Sequence, residues 1–357
     1  MRLHLVTDTW HPQVNGVVTA LANLKEHLER DGWEVVVIHP GLFRSVPLPW
    51  YPELRLAVSP WRSLRSMLTQ ATPDYVHIAT EGPLGWSARA LCRRYGWRFT
   101  SSYHTHFHLY AHGRVRALLR PVRMLLRAFH NAATCTMAAT PSLQQELEAA
   151  GLTNVALWPL GVDTNVFVRR SGGHMPSLAK PVFAFFGRLA LEKSPDEFLT
   201  LDLPGTRLVI GDGPERARLQ SQFGSAAVFV GYRHGRELVD WLSMCDVMVF
   251  PSRSDTFGLV ILETLACGIP VAAHDVTGPR DIIESGVDGM LSEDLRQAAL
   301  ACLSLDRSRC REKALQYSWE ASATAFKGNL APACSAQEQA CDSSAARLEA
   351  EIAPEHI

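Results

Sequence analysis

The sequence predicts an α/β fold built from two parallel sheets that follow each other along the chain. Short β-rich runs alternate with segments of helical periodicity, a pattern that is typical of βαβ units and parallel sheets. The alternation is interrupted once, at the polar, glycine-containing stretch 169–176, and then resumes. The length of 357 residues also exceeds the size at which a single hydrophobic core usually stops growing. We therefore predict two doubly wound domains joined by a linker.

The strand candidates define the two domains. Six lie in the first half, at residues 3–7, 34–39, 75–79, 99–103, 135–139 and 155–158. Five follow the interruption, at residues 182–186, 207–210, 227–230, 247–250 and 271–273. The predicted division is a first domain over 1–165, a linker over 166–180 and a second domain over 181–330. Residues 331–357 contain few large apolar side chains, so we predict a disordered tail there.

The overall composition argues against several classes of protein. The 35 Lys and Arg residues nearly balance the 36 Asp and Glu residues, which argues against a nucleic-acid partner. The eight cysteines form no CxxC pair and have no histidine at zinc spacing, so we expect reduced thiols and no metal site. No apolar run approaches the ~20 residues that span a bilayer, and no secretory leader pattern occurs. We expect a cytoplasmic protein that can still lie against a membrane surface.

Candidate phosphate-binding residues follow the first strand of each domain, where open α/β sheets bind their ligands. Asn15 and Gly16 precede a helix, whose first amides suit an anion, although an ordinary turn is the alternative. Arg188 and Lys193 combine a planar fork of donors with a compact charge, which suits a diphosphate. Two solvated surface cations are the alternative for that pair. No P-loop motif occurs, and no GxGxxG follows the first strand, which disfavours a nicotinamide cofactor.

The most informative segment is residues 251–270. Ser254 or Asp255 is predicted to cap a helix from about residue 257 to about residue 267, and Gly268 ends it. The start of that helix is a predicted anion site, because its first amides point away from the helix and the positive end of the helix dipole lies there. The amides concerned are those of Phe257, Gly258 and Leu259. Glu263, two turns inside, can reach a neutral polyol such as ribose, and Asp255 at the mouth can reach a sugar.

These residues resemble the family-four retaining glycosyltransferases, which have two facing Rossmann-like domains of the GT-B type. The resemblance covers residues from about 2 to 326. The hallmark of that family is two acidic residues separated by seven others, usually with Glu first. Here Asp255 takes the first place and Glu263 the second. The resemblance implies that Asp255 contacts the transferred sugar, Glu263 the nucleotide ribose, and Arg188 with Lys193 the diphosphate.

The first domain carries two further points of resemblance. The loop at Asn15 and Gly16 is similar to a glycine loop that closes on the donor from the opposite domain. His104 matches the histidine that the family places beside the reacting sugar, with His106 as a rival. The resemblance implies transfer of a hexosyl group from a UDP-sugar or GDP-mannose with retention of configuration. No Asp-x-Asp occurs, so we expect the cations and helix starts to stabilise the leaving diphosphate without a metal or other cofactor.

A row of arginines after residue 113 bears on the acceptor. On a helical wheel four of them lie together opposite an apolar stripe, which predicts a basic amphipathic helix. They are Arg116, Arg120, Arg123 and Arg127. Each cation of such a face contributes about 1 kcal/mol near anionic lipid. The alternative is that the stripe packs on the sheet and the arginines are solvated.

The sequence looks most similar to family members that glycosylate lipids, including diacylglycerol glycosyltransferases and bacterial α-mannosyltransferases. Our first hypothesis is therefore a membrane-lipid acceptor, with peripheral association to the inner face of the plasma membrane. Three alternatives stay open. They are transfer to a polysaccharide or lipid-linked glycan precursor, a catalytically silent sugar-nucleotide-binding module, and a two-domain epimerase.

Overall fold

The computed structural model describes residues 1–13, 15–48, 51–104, 116–170 and 175–334. These residues form two six-stranded parallel sheets and one antiparallel hairpin. The predicted fold class is confirmed. All eleven predicted strands are present, and their ends differ from the predicted ends by one residue at most. The sequence did not predict the hairpin or the last strand of the second sheet.

The first sheet has the strand order β2-β1-β5-β6-β7-β8. The strands, with the hairpin formed by β3 and β4, are β1 (Arg2–Val6), β2 (Glu34–Ile38), β3 (Ser45–Leu48), β4 (Tyr51–Ala57), β5 (Tyr75–Ile78), β6 (Thr100–Tyr103), β7 (Cys135–Ala138) and β8 (Val155–Leu157). The helices are α1 (Gly16–Arg30), α2 (Trp61–Gln70), α3 (Pro83–Tyr95), α4 (Arg116–His130) and α5 (Pro141–Ala149). The order reverses between β1 and β5, which creates a crevice at their carboxyl ends.

The second sheet has the order β11-β10-β9-β12-β13-β14. Its strands are β9 (Val182–Phe186), β10 (Thr206–Ile210), β11 (Val228–Gly231), β12 (Val247–Phe250), β13 (Val271–Ala273) and β14 (Gly289–Leu291). The helices are α6 (Pro195–Thr200), α7 (Arg216–Phe223), α8 (Gly235–Ser243), α9 (Leu259–Ala266), α10 (Pro279–Ile282), α11 (Leu295–Cys302), α12 (Arg307–Ala314) and α13 (Trp319–Asn329). Here the reversal lies between β9 and β12, so a second crevice opens beyond those two strands.

The amphipathic pattern of α1 explains its place on the first sheet. Val18, Leu21, Leu24 and Leu28 are buried on one face of the helix, which packs on the first sheet. Asn15 caps the helix, because its side chain accepts a hydrogen bond of 3.0 Å from the Val18 amide. The helix start is therefore fixed at the carboxyl edge of the sheet.

Helix α13, the last one in the described part of the chain, crosses from the second sheet back to the first. Trp158 Nε1, beyond the end of β8, donates a hydrogen bond of 3.1 Å to Ser322 Oγ. Phe326 is fully buried, with ring centroids 4.9 Å from His77 and 5.1 Å from Trp158. Lys327 forms an ion pair of 2.7 Å with Asp31. The contacts of α13 therefore join residues on both sides of the predicted domain division.

Residues 331–334 also pack on the first sheet. Ala333 is fully buried, its amide donates to the Asp74 carbonyl at 2.8 Å, and its carbonyl accepts the Arg98 amide at 2.8 Å. The prediction of a disordered tail is therefore wrong for residues 331–334, because their backbone groups are paired and Ala333 fills the core. Residues 335–357 lie outside the described part of the chain. In the described part, no helix is both long and apolar enough to cross a membrane.

The packing of α13 predicts a large loss of stability when its central aromatic side chain is removed. Phe326→Ala leaves a cavity between two aromatic rings and should lower the free energy of unfolding by about 3–5 kcal/mol, measured in urea. The control is Thr324→Ala on the exposed face of the same helix, which should change stability by about 0.5 kcal/mol or less. Equal effects of the two variants would contradict the assigned packing of α13.

Candidate functional site

The candidate site lies at the reversal of strand order in the second sheet. Strand β9 ends at Phe186 and leads into Gly187 and Arg188, and its neighbour β12 ends at Phe250 and leads into the segment 251–258. Both carboxyl ends therefore open on the same crevice, where ligands bind in this class of sheet. The second-domain residues predicted from sequence to bind a donor follow these two strands, whereas Asn15 and Gly16 follow β1 of the first sheet.

An ion pair between Lys193 and Asp255 joins the two segments. Hydrogen bonds hold the same segments together beside it. The Ser252 and Ser254 hydroxyls donate to the carbonyl of Glu192, at 3.3 and 3.0 Å. The structure thus brings Lys193 against the turn that precedes α9, as the sequence predicts.

One carboxylate oxygen of Asp255 has no hydrogen-bond partner in the described part of the protein. Lys193 contacts Oδ1, whereas Oδ2 is buried and has no hydrogen-bond partner among the described residues. Buried carboxylate oxygens are normally hydrogen bonded, because an unpaired one loses its solvation without compensation. Asp255 Oδ2 is therefore suited to accept a hydroxyl group of a ligand.

Arg188 precedes Lys193 in the segment that follows β9. Its guanidinium is 3.7 Å from the Glu192 carboxylate, and its side chain is 22% exposed. Glu192 is itself buried at the base of the segment. Arg188 is thus held near Glu192, which precedes Lys193 in the chain, and part of its side chain stays accessible.

Helix α9 begins at Leu259, two residues later than predicted. Its N-cap is Gly258 in the left-handed region, at φ 97°, and no side chain caps the helix. The predicted cap by Ser254 or Asp255 is wrong, because both side chains bind the 192–193 segment instead. Phe257 is buried against Tyr317, with ring centroids 6.3 Å apart. The Ile261 amide donates to the Gly258 carbonyl at 2.9 Å, whereas the two amides before it have no backbone partner in the described part of the chain and so remain suited to an anion.

Glu263 lies on the second turn of α9 and is partly buried. Burial raises the pKa of its carboxyl group to about 7. Tyr232 lies directly after β11. Burial raises the pKa of its phenol, and the nearby charge of Glu263 raises it further. The sequence analysis missed Tyr232, although its position after a strand end was the available signal.

His104 connects the first domain to the site. Its carbonyl oxygen accepts a hydrogen bond of 2.8 Å from Thr256 Oγ1, next to Asp255 in the chain. Its Nε2 atom is 2.8 Å from Ser102 Oγ. Burial, with a smaller effect of His130, lowers the pKa of His104 to about 4, so the imidazole is neutral at neutral pH. The rival, His106, lies outside the described residues.

The start of α1 faces the start of α9. A methyl group placed on Gly16 would lie 4.0 Å from Leu259 Cδ1, so the two helix ends approach each other across the domains. Asn15 is committed to the cap, and its Nδ2 donates to Thr9 Oγ1 at 3.0 Å. The side chain of Asn15 therefore shapes this turn, while its chemistry toward a ligand stays a prediction.

The crevice of the first sheet contains a carboxylate that the sequence analysis did not select. Asp8, just after β1, accepts hydrogen bonds from Thr80 Oγ1 at 2.9 Å and from the amides of Leu84 and Gly85 at 2.8 and 3.2 Å. Burial raises the pKa of Asp8, and these donors oppose the rise. The carboxylate thus ties β1 to the start of α3. Its position at a strand end was the only sequence signal.

The outward surface of α4 carries both cations and apolar side chains. Met124 and Leu125 are 72% and 53% exposed, whereas Phe129 is fully buried. Exposed arginines flank them, at Arg120, Arg123 and Arg127. The packing alternative for the apolar stripe therefore holds for Phe129 but not for Leu125. The side chain of Arg116 lies outside the described residues. We call residues 120, 123, 124, 125 and 127 the α4 outer face.

Comparisons with known proteins identify the family of the chain. The sequence profile described as Glycosyltransferase Family 4 matches residues 14–166, and that described as Glycosyl transferases group 1 matches residues 180–306. A GDP-mannose-dependent alpha-mannosyltransferase of Mycobacterium tuberculosis (strain CDC 1551) is 35% identical over 318 residues, covering 82% of this chain and 83% of that protein.

A second relative and a solved structure extend the comparison. The GDP-mannose-dependent alpha-(1-6)-phosphatidylinositol dimannoside mannosyltransferase of M. tuberculosis (strain H37Ra) is 28% identical, covering 92% of this chain and 96% of that protein. The structure of sucrose-phosphate synthase from Thermosynechococcus elongatus matches with a TM-score of 0.76 at 19% identity, over 92% of this chain and 97% of that one. The structural match shows a shared fold of the GT-B type. The chain belongs to glycosyltransferase family 4 and is a glycosyltransferase, which confirms the resemblance noted from its motifs.

The raised pKa of Glu263 predicts a specific dependence of stability on pH. The folded protein keeps a proton on this group up to about pH 7, whereas the unfolded chain releases it near pH 4.5. The stability that Glu263 contributes is therefore full below pH 4.5 and is lost as the pH rises through 7. Glu263→Gln stays neutral, so its stability relative to the native protein should be greater at pH 8 than at pH 5, by about 2 kcal/mol.

Urea unfolding at the two pH values measures this difference. The matched control is Glu312→Gln, because Glu312 is an exposed carboxylate whose side chain is 57% accessible. Its difference from the native protein should be the same at both pH values within about 0.5 kcal/mol. A Glu263→Gln difference that does not change with pH would contradict the shifted pKa.

Proposed function

We propose that this protein transfers a hexosyl group from a nucleotide diphosphate sugar to a membrane lipid, with retention of anomeric configuration. The observation that carries the proposal is the ion pair of Lys193 with Asp255 at the strand reversal, linked through Thr256 to His104 of the first domain. Groups suited to the diphosphate and to the sugar are thereby collected from both domains at one crevice.

The diphosphate is the charged part of the donor and becomes more negative as it leaves. Arg188 and Lys193 provide two cations at one edge of the crevice, and the start of α9 provides unpaired amides. Fixed charges and dipoles of this kind stabilise a developing anion without reorganising during the reaction. We therefore propose that the protein's own groups neutralise the leaving diphosphate and that no divalent ion is required.

The sugar lies between Asp255 and His104 in this proposal. Asp255 Oδ2 accepts a hydrogen bond from a sugar hydroxyl, and neutral His104 lies beside the reacting carbon. Glu263, deeper on α9, binds the ribose hydroxyls. The acceptor hydroxyl then attacks the anomeric carbon from the face that the leaving diphosphate vacates. The new C–O bond replaces the bond to the diphosphate, which takes up the hydroxyl proton, so configuration is retained. Protein groups mainly stabilise charge in such a step.

The relatives indicate which donor to test first. Both mannosyltransferases described above use GDP-mannose according to their names, so we propose GDP-mannose as the first donor. UDP-sugars are the alternative. The name of the second relative also includes a phosphatidylinositol glycolipid, which supports a lipid acceptor.

The α4 outer face supports the same acceptor class. Its arginines suit anionic headgroups, and Met124 and Leu125 are free to enter the headgroup region. A helix with this pairing of exposed cations and exposed apolar side chains is typical of peripheral membrane binding. We propose that the protein associates with the inner face of the plasma membrane through α4.

A thermal-shift panel of GDP-mannose and UDP-sugars tests donor binding. A ligand at one hundred times its dissociation constant stabilises the folded state by about 2.7 kcal/mol. Arg188→Ala and Glu263→Ala should lose most of that shift, because they remove contacts to the diphosphate and the ribose. His104→Ala should keep the shift but lose transfer. The control is Arg296→Ala, an exposed arginine of α11, which should behave as the native protein does.

Transfer is then measured as release of the nucleoside diphosphate in the presence of lipid, with and without EDTA. Full activity in EDTA is expected, and a requirement for added Mg²⁺ or Mn²⁺ would contradict metal-independent stabilisation. Donor binding without turnover on any lipid or glycan acceptor would favour the catalytically silent module.

Vesicle sedimentation tests the membrane proposal. Replacing Arg120, Arg123 and Arg127 together by Gln should weaken binding to anionic vesicles about a hundredfold, because each cation contributes about 1 kcal/mol. The control variant replaces three exposed arginines of the second domain, Arg218, Arg296 and Arg309. It has the same change in charge and should bind as the native protein does. Equal loss in both variants, or binding that salt does not weaken, would contradict a role for α4.

A further inference from the structure

Strand β6 is polar where a central parallel strand is normally apolar. Thr100, Ser101 and Ser102 are all fully buried between β5 and β7, although strands in such positions usually carry Val, Ile or Leu. Alternation along the strand directs Thr100 and Ser102 to one face and Ser101 to the other. Each face then meets a different histidine, His77 on β5 or His130 at the end of α4.

On the first face, hydrogen bonds form a continuous chain that ends at His104. Thr100 Oγ1 is 2.9 Å from His77 Nδ1, and His77 Nε2 is 3.1 Å from Ser102 Oγ. Ser102 Oγ is in turn 2.8 Å from His104 Nε2. On the other face, Ser101 Oγ is 3.0 Å from His130 Nδ1 and makes no contact with His104 among the described residues.

One arrangement of hydrogens along this chain satisfies all three polar neighbours of Ser102 and gives His104 a defined tautomer. Ser102 has three polar neighbours, His77, His104 and the carbonyl of Ala79 at 3.4 Å, but only one hydrogen to donate. The carbonyl can only accept, so all three contacts are hydrogen bonds only when the serine hydrogen is directed to it. In that arrangement both imidazoles donate from Nε2 to the serine oxygen. Thr100 completes the chain by donating to His77 Nδ1.

Both histidines are neutral, as this arrangement requires. Burial, with a smaller effect of His104, lowers the pKa of His77 to about 3, and burial lowers that of His104 to about 4. A neutral imidazole carries one hydrogen, so donation from Nε2 leaves Nδ1 with a lone pair. In the part of the chain that the structure describes, His104 Nδ1 has no hydrogen-bond partner.

We propose that Ser102, supported by His77, is a positioning residue that holds His104 with its hydrogen on Nε2 and its lone pair on Nδ1. The consequence rests on the proposed function. His104 then accepts a hydrogen bond from a hydroxyl of the donor sugar through Nδ1, rather than donating one to the leaving phosphate. The ring is held in this role by Trp158 as well, whose ring meets it edge to face with centroids 5.7 Å apart.

Nitrogen NMR of the protein labelled with ¹⁵N-histidine reads the tautomer directly and needs no activity. The His104 signals are identified by their loss in His104→Asn. The expected result between pH 6 and pH 8 is one protonated nitrogen, Nε2, and one unprotonated nitrogen, Nδ1. A hydrogen on Nδ1, an equal mixture of the two tautomers or a cationic ring would overturn the proposal.

Two serine variants separate positioning from a general effect on the sheet. Ser102→Ala removes the acceptor, so the His104 signals should become those of a tautomer mixture, and kcat should fall about tenfold, the equivalent of one hydrogen bond. The donor KM and the donor-induced thermal shift should change by about twofold or less, because binding contacts remain. Ser101→Ala is the matched control on the same strand and equally buried. It should leave the His104 spectrum and kcat unchanged.

The two readouts also distinguish failure of this inference from failure of the proposed function. A native protein that transfers no sugar but shows the expected tautomer leaves the inference standing and overturns the transfer proposal. A protein that transfers sugar normally when Ser102 is Ala, or that loses as much activity in Ser101→Ala as in Ser102→Ala, overturns the positioning role.

Discussion

The ion pair between Lys193 and Asp255 is the contact on which the site depends. It joins the segments that follow two adjacent strands, and the two serine hydroxyls beside it bind the same carbonyl. Because Asp255 is held by one oxygen only, its second oxygen stays available while the loop is still fixed. Thr256 then extends this fixed loop to the first domain through the carbonyl of His104. A local charge pair thereby sets the distance between groups from different domains.

Charged and neutral side chains occupy different parts of the site. The basic side chains Arg188 and Lys193 lie at the accessible edge, whereas burial keeps His104 neutral and lowers the charge on Glu263 at neutral pH. Such a distribution suits a donor whose negative charge lies in the diphosphate and whose sugar and ribose are uncharged polyols. Neutral hydrogen-bonding groups are less costly to bury than charges, so placing them deeper also favours folding.

The sequence predicted the strands closely because alternation and β-branched residues are local signals, whereas the missed features depend on distant contacts. The hairpin of β3 and β4 contains Pro47 and Pro52, and proline normally argues against a strand. The start of α9 was misplaced because residues about sixty positions earlier bind Ser254 and Asp255. Topology placed Lys193 and Asp255 beyond the ends of neighbouring strands, but the sequence analysis predicted no ion pair between them. The role of Ser102 could be noticed only as a polar residue in a buried strand.

The crossing of α13 has a consequence for the site as well as for stability. Trp158 contacts Phe326 and Ser322 of α13 on one side and the ring of His104 on the other. His77, which supports Ser102, also packs on Phe326. Helix α13 therefore packs against Trp158, which contacts the His104 ring, and against His77, which supports Ser102. Because buried aromatic contacts transmit small displacements in a close-packed core, the position of α13 bears directly on the geometry of the histidine. A chain segment that starts in the second domain thus completes the support of a site residue in the first.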